Sequence, residues 1–431
     1  MTIDRRILRL AVPALGTLAI DPLVSLTDTV FVAQLGEVPL AALGVDTAVF
    51  SFAFFLFNFL AYGTTPLLAG AIGRGDPVGA GRIAWQAVVL AITAGVVAMV
   101  LLQVFAEPIL GLMGAGGEVT DPALVYLRIR ALAAPAVVLI IAANGVFRGL
   151  QDTRTPLVVT VAISLLNLVL DPLLIFVAGW GIAGAATATA VAQWLGAVWF
   201  LALLARSRRR GDIPWSVPRL DQAGPLLRAG RDIGLRTFAL VGFFTLATAQ
   251  AARVGTAAVA AHQVASQLWL LLALVVDALA IAAQAMVGLA SGRGDRIEVR
   301  RSSVRLLWWG AGAGLALGAL VAVAADSIVA LFGASPAVST ELAVILPVIA
   351  VSEPLSALVF VGDGIYLGAS RFAFLAVTTV AAAAIGSAVM LGAVALGWGL
   401  LGVWTGTVAL VAARAVGLAT GYRSVISAPS G

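Results

Sequence analysis

The chain has 431 residues, 61% of them hydrophobic and 11% charged, and its formal net charge is +5. In soluble globular domains roughly a quarter of the residues are charged. This composition therefore excludes a soluble, disordered or collagen-like chain and indicates a protein that lies in lipid. Cys and Lys are absent and His262 is the only histidine. Disulfides, thiol nucleophiles, Schiff-base lysines and paired-histidine metal sites are therefore excluded, and we expect no enzymatic activity.

Twelve apolar segments follow one another along the chain, and each is long enough for a membrane-spanning helix, which needs about 20 residues. They lie at about 10–35, 43–71, 82–106, 122–147, 156–178, 181–205, 229–252, 259–290, 300–325, 339–367, 372–395 and 399–421. The segments lack the alternation of period two that a membrane barrel requires. The sequence therefore predicts an all-α integral membrane protein with twelve transmembrane helices.

The arginine residues are distributed unevenly between the two sets of loops. If both termini lie on one side of the membrane, nearly all arginines lie there as well, and the exceptions are Arg128, Arg130 and Arg253. Arginine is enriched in the cytoplasmic loops of membrane proteins, so we predict that both termini are cytoplasmic. Membrane insertion thus explains the basic charge, and we expect the lipid bilayer, and no nucleic acid, as a partner.

The chain contains an internal repeat at an offset of 219 residues. The run GRGD at 73–76 falls on the same letters at 292–295, and Pro135 falls on Pro354. Because both runs are bounded by glycine, they predict two equivalent tight turns between helices, which we favour over a cell-adhesion motif. A repeat of this length indicates that the chain consists of two related units.

The repeat divides the chain into two six-helix units, residues 1–205 and 229–431, joined by a polar cytoplasmic linker at 206–228. Because six helices separate equivalent positions, both units insert with the same orientation, and a pseudo-two-fold axis along the membrane normal should relate them. Secondary transporters use parallel repeats of this kind for alternating access, so the repeat favours a transporter. A duplicated channel stays open at this point.

Two carboxylates of the first unit lie at similar depth in predicted spans. A rise of about 1.5 Å per residue places Asp28 of helix 1 about 28 Å, and Asp171 of helix 5 about 22 Å, from the cytoplasmic ends of their helices. Asn167 precedes Asp171 by four residues and therefore lies on the same helix face. At the repeat offset the three residues correspond to alanine, glycine and methionine. Because ionisable groups are costly at bilayer depth, this one-sided pattern predicts a small-cation site in the first unit.

Three further polar residues at membrane depth are candidates for a functional role. Asp21 lies beside a proline at a helix distortion, and Asp363 lies between two glycines, where a ligand can approach the backbone closely. Thr189 has a counterpart in the second unit, Thr407, because the repeat offset slips to 218 in the last hairpin, so helix packing explains it as well as cation binding does.

With these residues the chain resembles the multidrug and toxic compound extrusion family of cation-coupled exporters, and in particular its DNA-damage-inducible F branch. The segments that carry the resemblance are DPLVSLTDTVFVAQLG at 21–36, GAIGRGDP at 70–77, NLVLDPLLIF at 167–176 and FVGDGIYLGA at 360–369. None of them is a short catalytic signature, but their order and spacing within two six-helix units make the match specific. The resemblance covers about residues 5 to 424.

The resemblance implies two six-helix bundles around a central cavity, which rock between outward-facing and inward-facing states. It also implies a coupling-cation site, for H⁺ or Na⁺, formed by Asp28, Asn167, Asp171 and Thr189 of the first unit. Other branches of the family place an acidic pair in the second unit. Asp363 matches one member of that pair, but helix 7 has no carboxylate to match the other.

The function that we expect is secondary active antiport, in which lipophilic and often cationic drugs or toxic compounds are exported in exchange for H⁺ or Na⁺. No cofactor other than the coupling ion is expected, and Phe54, Phe57 and Tyr62 of helix 2 are candidates for an apolar substrate cavity. We expect a monomer in the inner (cytoplasmic) membrane of a prokaryote. The alternative is a flippase for a lipid-linked precursor, since related members of the superfamily share the two-lobed plan.

Overall fold

The computed structural model describes residues 2–210, 214, 223–333 and 335–426, and nearly all of them are helical. The helices are α1 (Ile3–Ala33), α2 (Glu37–Phe55), α3 (Asn58–Gly73), α4 (Pro77–Val104), α5 (Ala106–Leu112), α6 (Thr120–Ala131), α7 (Ala134–Gly149), α8 (Arg154–Pro172), α9 (Gly181–Arg210), α10 (Gly224–Val254), α11 (Thr256–Gly292), α12 (Arg296–Phe332), α13 (Pro336–Gly368), α14 (Phe372–Ala395) and α15 (Gly399–Ile426). Residues 211–213 and 215–222 of the predicted linker at 206–228 lie outside the described residues.

Within the described residues, eleven helical segments are long and apolar enough to cross a membrane, with α2 and α3 taken together as one of them. A twelfth is obtained when α6 and α7, which meet at a bend of 50°, are taken as one span. The prediction of an all-helical, multi-pass membrane protein is therefore confirmed. In places the ends also coincide, since the segment predicted at 372–395 is α14.

Two of the predicted spans are not continuous helices. The segment predicted at 122–147 is divided into α6 and α7. Pro135 lies in the first turn of α7, where its missing N–H group costs no helical hydrogen bond, whereas a helix continuous through this point would lose one. The segment predicted at 43–71 is divided into α2 and α3 by a tight turn, in which the N–H group of Phe57 donates to the carbonyl oxygen of Phe54 at 2.9 Å. Side chains on either side of each break therefore do not share the face that a straight helix would give them.

The described chain forms two compact units. The N-terminal unit comprises residues 12–227, and the C-terminal unit comprises residues 1–11 together with 228–431. The first eleven residues join the C-terminal unit because Asp4 accepts hydrogen bonds from Arg305 at 2.5 and 2.7 Å and from Trp309 at 2.8 Å. The start of α1 thus packs with α12, which the sequence did not predict.

The internal repeat recurs in the backbone conformation of the turns. Gly75 and Gly294 both adopt a left-handed conformation, with φ of 71° and 69°. Asp76 and Asp295 then cap the helices that follow, because one side-chain oxygen of each accepts a backbone N–H three residues later, at 2.7 and 2.9 Å. The two Arg-Gly-Asp triplets are therefore equivalent turns with helix caps, as predicted.

Close helix crossings repeat in the same way. A methyl group on Gly145 of α7 would lie 2.8 Å from Cα of Ala61 on α3, and one on Gly364 of α13 would lie 2.7 Å from Cα of Ala280 on α11. The two crossings are separated by the repeat offset. Because glycine has no side chain, it lets two helix backbones approach closely inside a membrane bundle.

Replacing Gly364 by alanine should lower the melting temperature of the purified protein. The added carbon would lie 2.4 Å from the carbonyl oxygen of Ala280, which is a backbone atom and cannot rotate away. Overpacking of this kind costs about 1–3 kcal/mol. The matched control is Gly312→Ala on α12, where no atom lies within 4 Å of the added carbon. Equal melting temperatures for the two variants in detergent would contradict the close crossing.

Candidate functional site

A cavity of about 330 Å³ lies within the N-terminal unit, lined by side chains from α1, α2, α6, α8 and α9. Its apolar lining includes Phe50 and Phe54 from α2. The charged and amide side chains that line it are Asp28, Arg130, Asn167 and Gln193. The lining therefore combines aromatic surface with a small number of polar groups, which is typical of sites for small molecules.

Of the four residues implied for the cation site, Asp28, Asn167 and Thr189 line this cavity, and Asp171 lies next to it in contact with Asn167. The side-chain amide of Asn167 donates to Oδ1 of Asp171 at 3.4 Å and lies 3.3 Å from Oγ1 of Thr189. The Thr189 hydroxyl itself donates to the carbonyl oxygen of Ala185 at 3.0 Å, so its oxygen accepts from Asn167. The carboxyl groups of Asp28 and Asp171 lie within reach of each other for a hydrogen bond when one of them holds a proton. Asp28 is half-buried, and the other three predicted side chains are buried.

Regular helix up to Asp171 explains part of this arrangement, and an irregular turn follows it. Asn167 and Asp171 are both inside α8, four residues apart, so their side chains lie one above the other. A proline disfavours the helical conformation of the residue before it, but α8 continues through Asp171 and Pro172, and the distortion follows them as a π-helical turn, Leu173–Val177. Proline has no N–H donor, and π-turns of this kind are frequent at functional sites.

Sequence reasoning missed two charged residues near this cavity, Asp46 and Arg130. Asp46 on α2 is fully buried, and neither of its carboxylate oxygens has a hydrogen-bond donor among the described residues. Arg130 was expected at the outer ends of the helices, but it donates to Oε1 of Gln193 at 2.8 Å, and its guanidinium carbon lies 5.2 Å from the centre of the Phe50 ring. The signal for Asp46 was present in the sequence, because it lies inside a predicted span.

The corresponding positions of the C-terminal unit are apolar. The residues equivalent to Asp28, Asp46, Arg130 and Asp171 at the repeat offset are Ala247, Ala265, Ile349 and Met390. All four of these belong to one buried hydrophobic cluster. The scaffold that surrounds a polar cavity in one unit is therefore packed with apolar side chains in the other.

Asp363 of the C-terminal unit has permanent cations as neighbours. Its Oδ2 atom accepts from the guanidinium groups of both Arg236 on α10 and Arg414 on α15. Arg414 and Asp363 are buried, and Arg236 is largely so. The two guanidinium groups already balance this carboxylate. Asp363 is thus a buried ion-pair partner, placed differently from the acids of the N-terminal unit.

The remaining candidates lie in different places. Phe54 lines the cavity of the N-terminal unit, whereas Phe57 and Tyr62 do not. Phe57 packs against a separate apolar cluster that includes Leu60, and Tyr62 is half-buried on α3. The break between α2 and α3 is the reason, because it ends the helix face that Phe54 shares with the cavity. The side chain of Asp21 lies outside the described part of the structure.

Similar proteins are found both by sequence and by structure. The family model MatE matches residues 13–173 and 233–394. Protein DETOXIFICATION 44, chloroplastic, of Arabidopsis thaliana is 36% identical over 428 residues, which cover 96% of this chain and 81% of that protein. DNA damage-inducible protein F of Escherichia coli is 29% identical over 435 residues, with 97% and 92% covered. The crystal structure of MATE in the bent conformation has the same fold, with a TM-score of 0.91 at 24% identity over 99% of this chain and 96% of that one.

Asp363→Asn should destabilise the protein more than Arg414→Gln. The first change removes the carboxylate that both guanidinium groups bind, whereas the second keeps the ion pair between Arg236 and Asp363. Removing one partner of a buried ion pair costs about 3–5 kcal/mol when the other charge is left unbalanced. The melting temperature in detergent is the measurement, with the exposed Asp326→Asn as control. A variant Asp363→Asn as stable as this control would contradict the assignment.

Proposed function

The chain belongs to the MatE family of membrane transporters, and on that basis we propose that it is a secondary active antiporter that exports lipophilic, often cationic drugs or toxic compounds in exchange for H⁺ or Na⁺. The single observation that carries the proposal is the contact between the carboxyl groups of Asp28 and Asp171 at a cavity of the N-terminal unit. No step of this exchange requires a bound nucleotide or another cofactor.

Two carboxyl groups in contact at membrane depth require a cation between them. All four oxygens of two carboxylates are acceptors, so a hydrogen bond between the groups exists only when one of them holds a proton. Neighbouring donors do little to stabilise a second negative charge, because Asn167 is the one described side chain that donates to Asp171, at 3.4 Å. Since an unbalanced charge is costly at this depth, the pair is suited to bind a proton and to lose it again.

The same residues offer oxygen ligands for Na⁺. The Oδ1 atom of Asn167 is buried and has no hydrogen-bond donor among the described residues, and the Thr189 hydroxyl oxygen lies beside the same side chain. Hard cations of this type take carboxylate, amide and hydroxyl oxygens. The short separation of the two carboxyl groups nevertheless favours a shared proton over Na⁺, because a proton fits within a hydrogen bond between two oxygens.

Coupling follows if the cation binds one conformer more tightly than the other. A ligand shifts a conformational equilibrium only by the difference between its affinities for the two states. Proton uptake at the Asp28–Asp171 pair from outside, and release inside, would then drive the transporter through one cycle. A membrane potential of 100 mV contributes about 2.3 kcal/mol per charge, which supports roughly a fiftyfold gradient of a neutral substrate.

The lining of the cavity supports a lipophilic and often cationic substrate. Phe54 and Tyr126 supply aromatic surface, and Asp28 supplies a negative charge beside it. Aromatic faces and a carboxylate together attract organic cations. Arg130 is the one basic residue among the described residues that line this cavity, whereas a flippase for an anionic lipid precursor calls for a strongly cationic one.

Replacing Asp171 by asparagine should abolish proton-driven export, because an amide neither binds nor releases a proton in this range. The measurement is efflux of an ethidium-like dye from cells, with an uncoupler to collapse the wild-type signal, and we expect at least a tenfold loss. Glu353→Gln is the matched control, since Glu353 is a buried carboxyl group of the C-terminal unit. Full efflux by Asp171→Asn would refute the coupling role, and movement of fluorescent lipid without dye export would favour the flippase.

A pH gradient alone should drive dye transport in Na⁺-free proteoliposomes. The reason is the direct contact of the Asp28 and Asp171 carboxyl groups, which a single proton can bridge. The assay varies pH and Na⁺ independently at a fixed membrane potential. Transport that stops when Na⁺ is removed at constant pH would instead assign Na⁺ as the coupling ion.

A further inference from the structure

Asp46 is a buried carboxyl group that the proposed exchange at Asp28 and Asp171 does not use. Its side chain has no solvent exposure, and both carboxylate oxygens lack a hydrogen-bond donor among the described residues. It lies on α2, one helical turn before Phe50, whose ring contacts the Arg130 guanidinium. A buried ionised carboxylate without donors is strongly unfavourable, so this group needs a proton or a cation of its own.

The charged groups that face Asp46 are few. From α6, Arg130 and Tyr126 interact with it electrostatically. The remaining ionisable groups on α5, on the short 3₁₀ turn Gly117–Val119 and on α6 are exposed. They are Glu107, Glu118, Asp121 and Arg128, and Arg128 pairs with Glu107 at 3.3 Å. The field at Asp46 is therefore set mainly by one guanidinium group.

Arg130 does not neutralise Asp46 by direct pairing. Among the described residues it forms no ion pair within 4.0 Å. Instead, Gln193 accepts a hydrogen bond from its guanidinium at 2.8 Å, and the Phe50 ring lies 5.2 Å from the guanidinium carbon. These two contacts hold the guanidinium at the cavity, within electrostatic reach of Asp28, Asp46 and Asp171 but paired with none of them.

The charges of this group of residues are balanced only when two cations are bound. Asp28, Asp46 and Asp171 carry three negative charges when ionised, and Arg130 carries one positive charge. One proton shared by Asp28 and Asp171 leaves the group with a net charge of −1. Since no three acidic, cysteine or histidine side chains of the described residues converge on one point, Asp46 is a separate position from the Asp28–Asp171 pair.

We propose that Asp46 is a second coupling carboxylate, and that the N-terminal unit takes up two monovalent cations in each transport cycle, one at the Asp28–Asp171 pair and one at Asp46. This inference rests on the proposed antiport. The contrast with the C-terminal unit supports it, because the positions of Asp46 and Arg130 are there occupied by Ala265 and Ile349, which are buried in an apolar cluster. The fold that the two units share therefore does not depend on the charge of Asp46 or of Arg130.

The number of coupled cations determines the limiting substrate gradient. With the membrane potential clamped at zero, each coupled proton multiplies the gradient at which net flux stops by the proton ratio across the membrane. For a difference of one pH unit, one proton therefore sustains about a tenfold gradient and two protons about a hundredfold gradient. We expect a hundredfold limit for the wild-type protein in proteoliposomes loaded with an ethidium-like dye.

Asp46→Asn should lower this limit about tenfold while transport continues. Asp46→Ala, which introduces the residue found at the equivalent position of the C-terminal unit, should do the same. The matched control Glu353→Gln should keep the wild-type limit. A wild-type limit near tenfold, or Asp46 variants that hold the wild-type gradient, would overturn the proposal. The wild-type measurement decides the stoichiometry even where an Asp46 variant does not fold.

The same experiment separates this inference from the antiport on which it rests. If the wild-type protein builds no dye gradient in response to a gradient of H⁺ or of Na⁺, the antiport itself is wrong. If it builds a gradient that Asp171→Asn abolishes and Asp46→Asn leaves unchanged, the antiport stands and the second coupling carboxylate is rejected. A Na⁺-driven gradient is tested in the same way, with a tenfold Na⁺ ratio.

Discussion

The cost of burying charge in an apolar interior governs the arrangement of this protein. A carboxylate at membrane depth must be balanced, and the two units achieve this differently. In the C-terminal unit, Asp363 is bound by the permanent charges of Arg236 and Arg414. In the N-terminal unit, Asp28 and Asp171 contact each other and have no guanidinium group bound to them among the described residues. A fixed ion-pair cluster serves structure, whereas a carboxyl pair that depends on an exchangeable cation is suited to coupling.

The two units differ in their charged residues but share the features that determine their fold. Equivalent turns use glycine in the left-handed conformation, and equivalent aspartates cap the helices that follow. Equivalent glycines, Gly145 and Gly364, let helix backbones approach closely. None of these features depends on the acids of the cavity. Charged residues were therefore free to differ between the units, and the polar cavity in one corresponds to an apolar cluster in the other.

Hydropathy and the repeat were sufficient to predict the fold, because both are properties of the sequence alone. The site was only partly predictable. Asp28 and Asp171 followed from depth along straight helices, but Asp46 and Arg130 approach each other only where α2 packs against α6. Arg130 lies in the last turn of α6, which ends at the break before Pro135, and its side chain lines the cavity. Such breaks depend on tertiary packing, which hydropathy does not record.

Arg130 gives the proposed exchange a further physical property. Without its charge, release of every proton would leave a net charge of −3 on Asp28, Asp46 and Asp171. With Arg130 included, the net charge of the group is −2. Gln193 and Phe50 hold the guanidinium in place. It therefore lowers the free-energy cost of the deprotonated state without forming an ion pair with any of the three carboxylates. A lipophilic cation that enters the cavity beside Asp28 is attracted by the same negative charge that attracts protons. Substrate and protons would then compete for one set of charges, and that competition makes their movements opposite when the carrier changes conformer only with one of them bound.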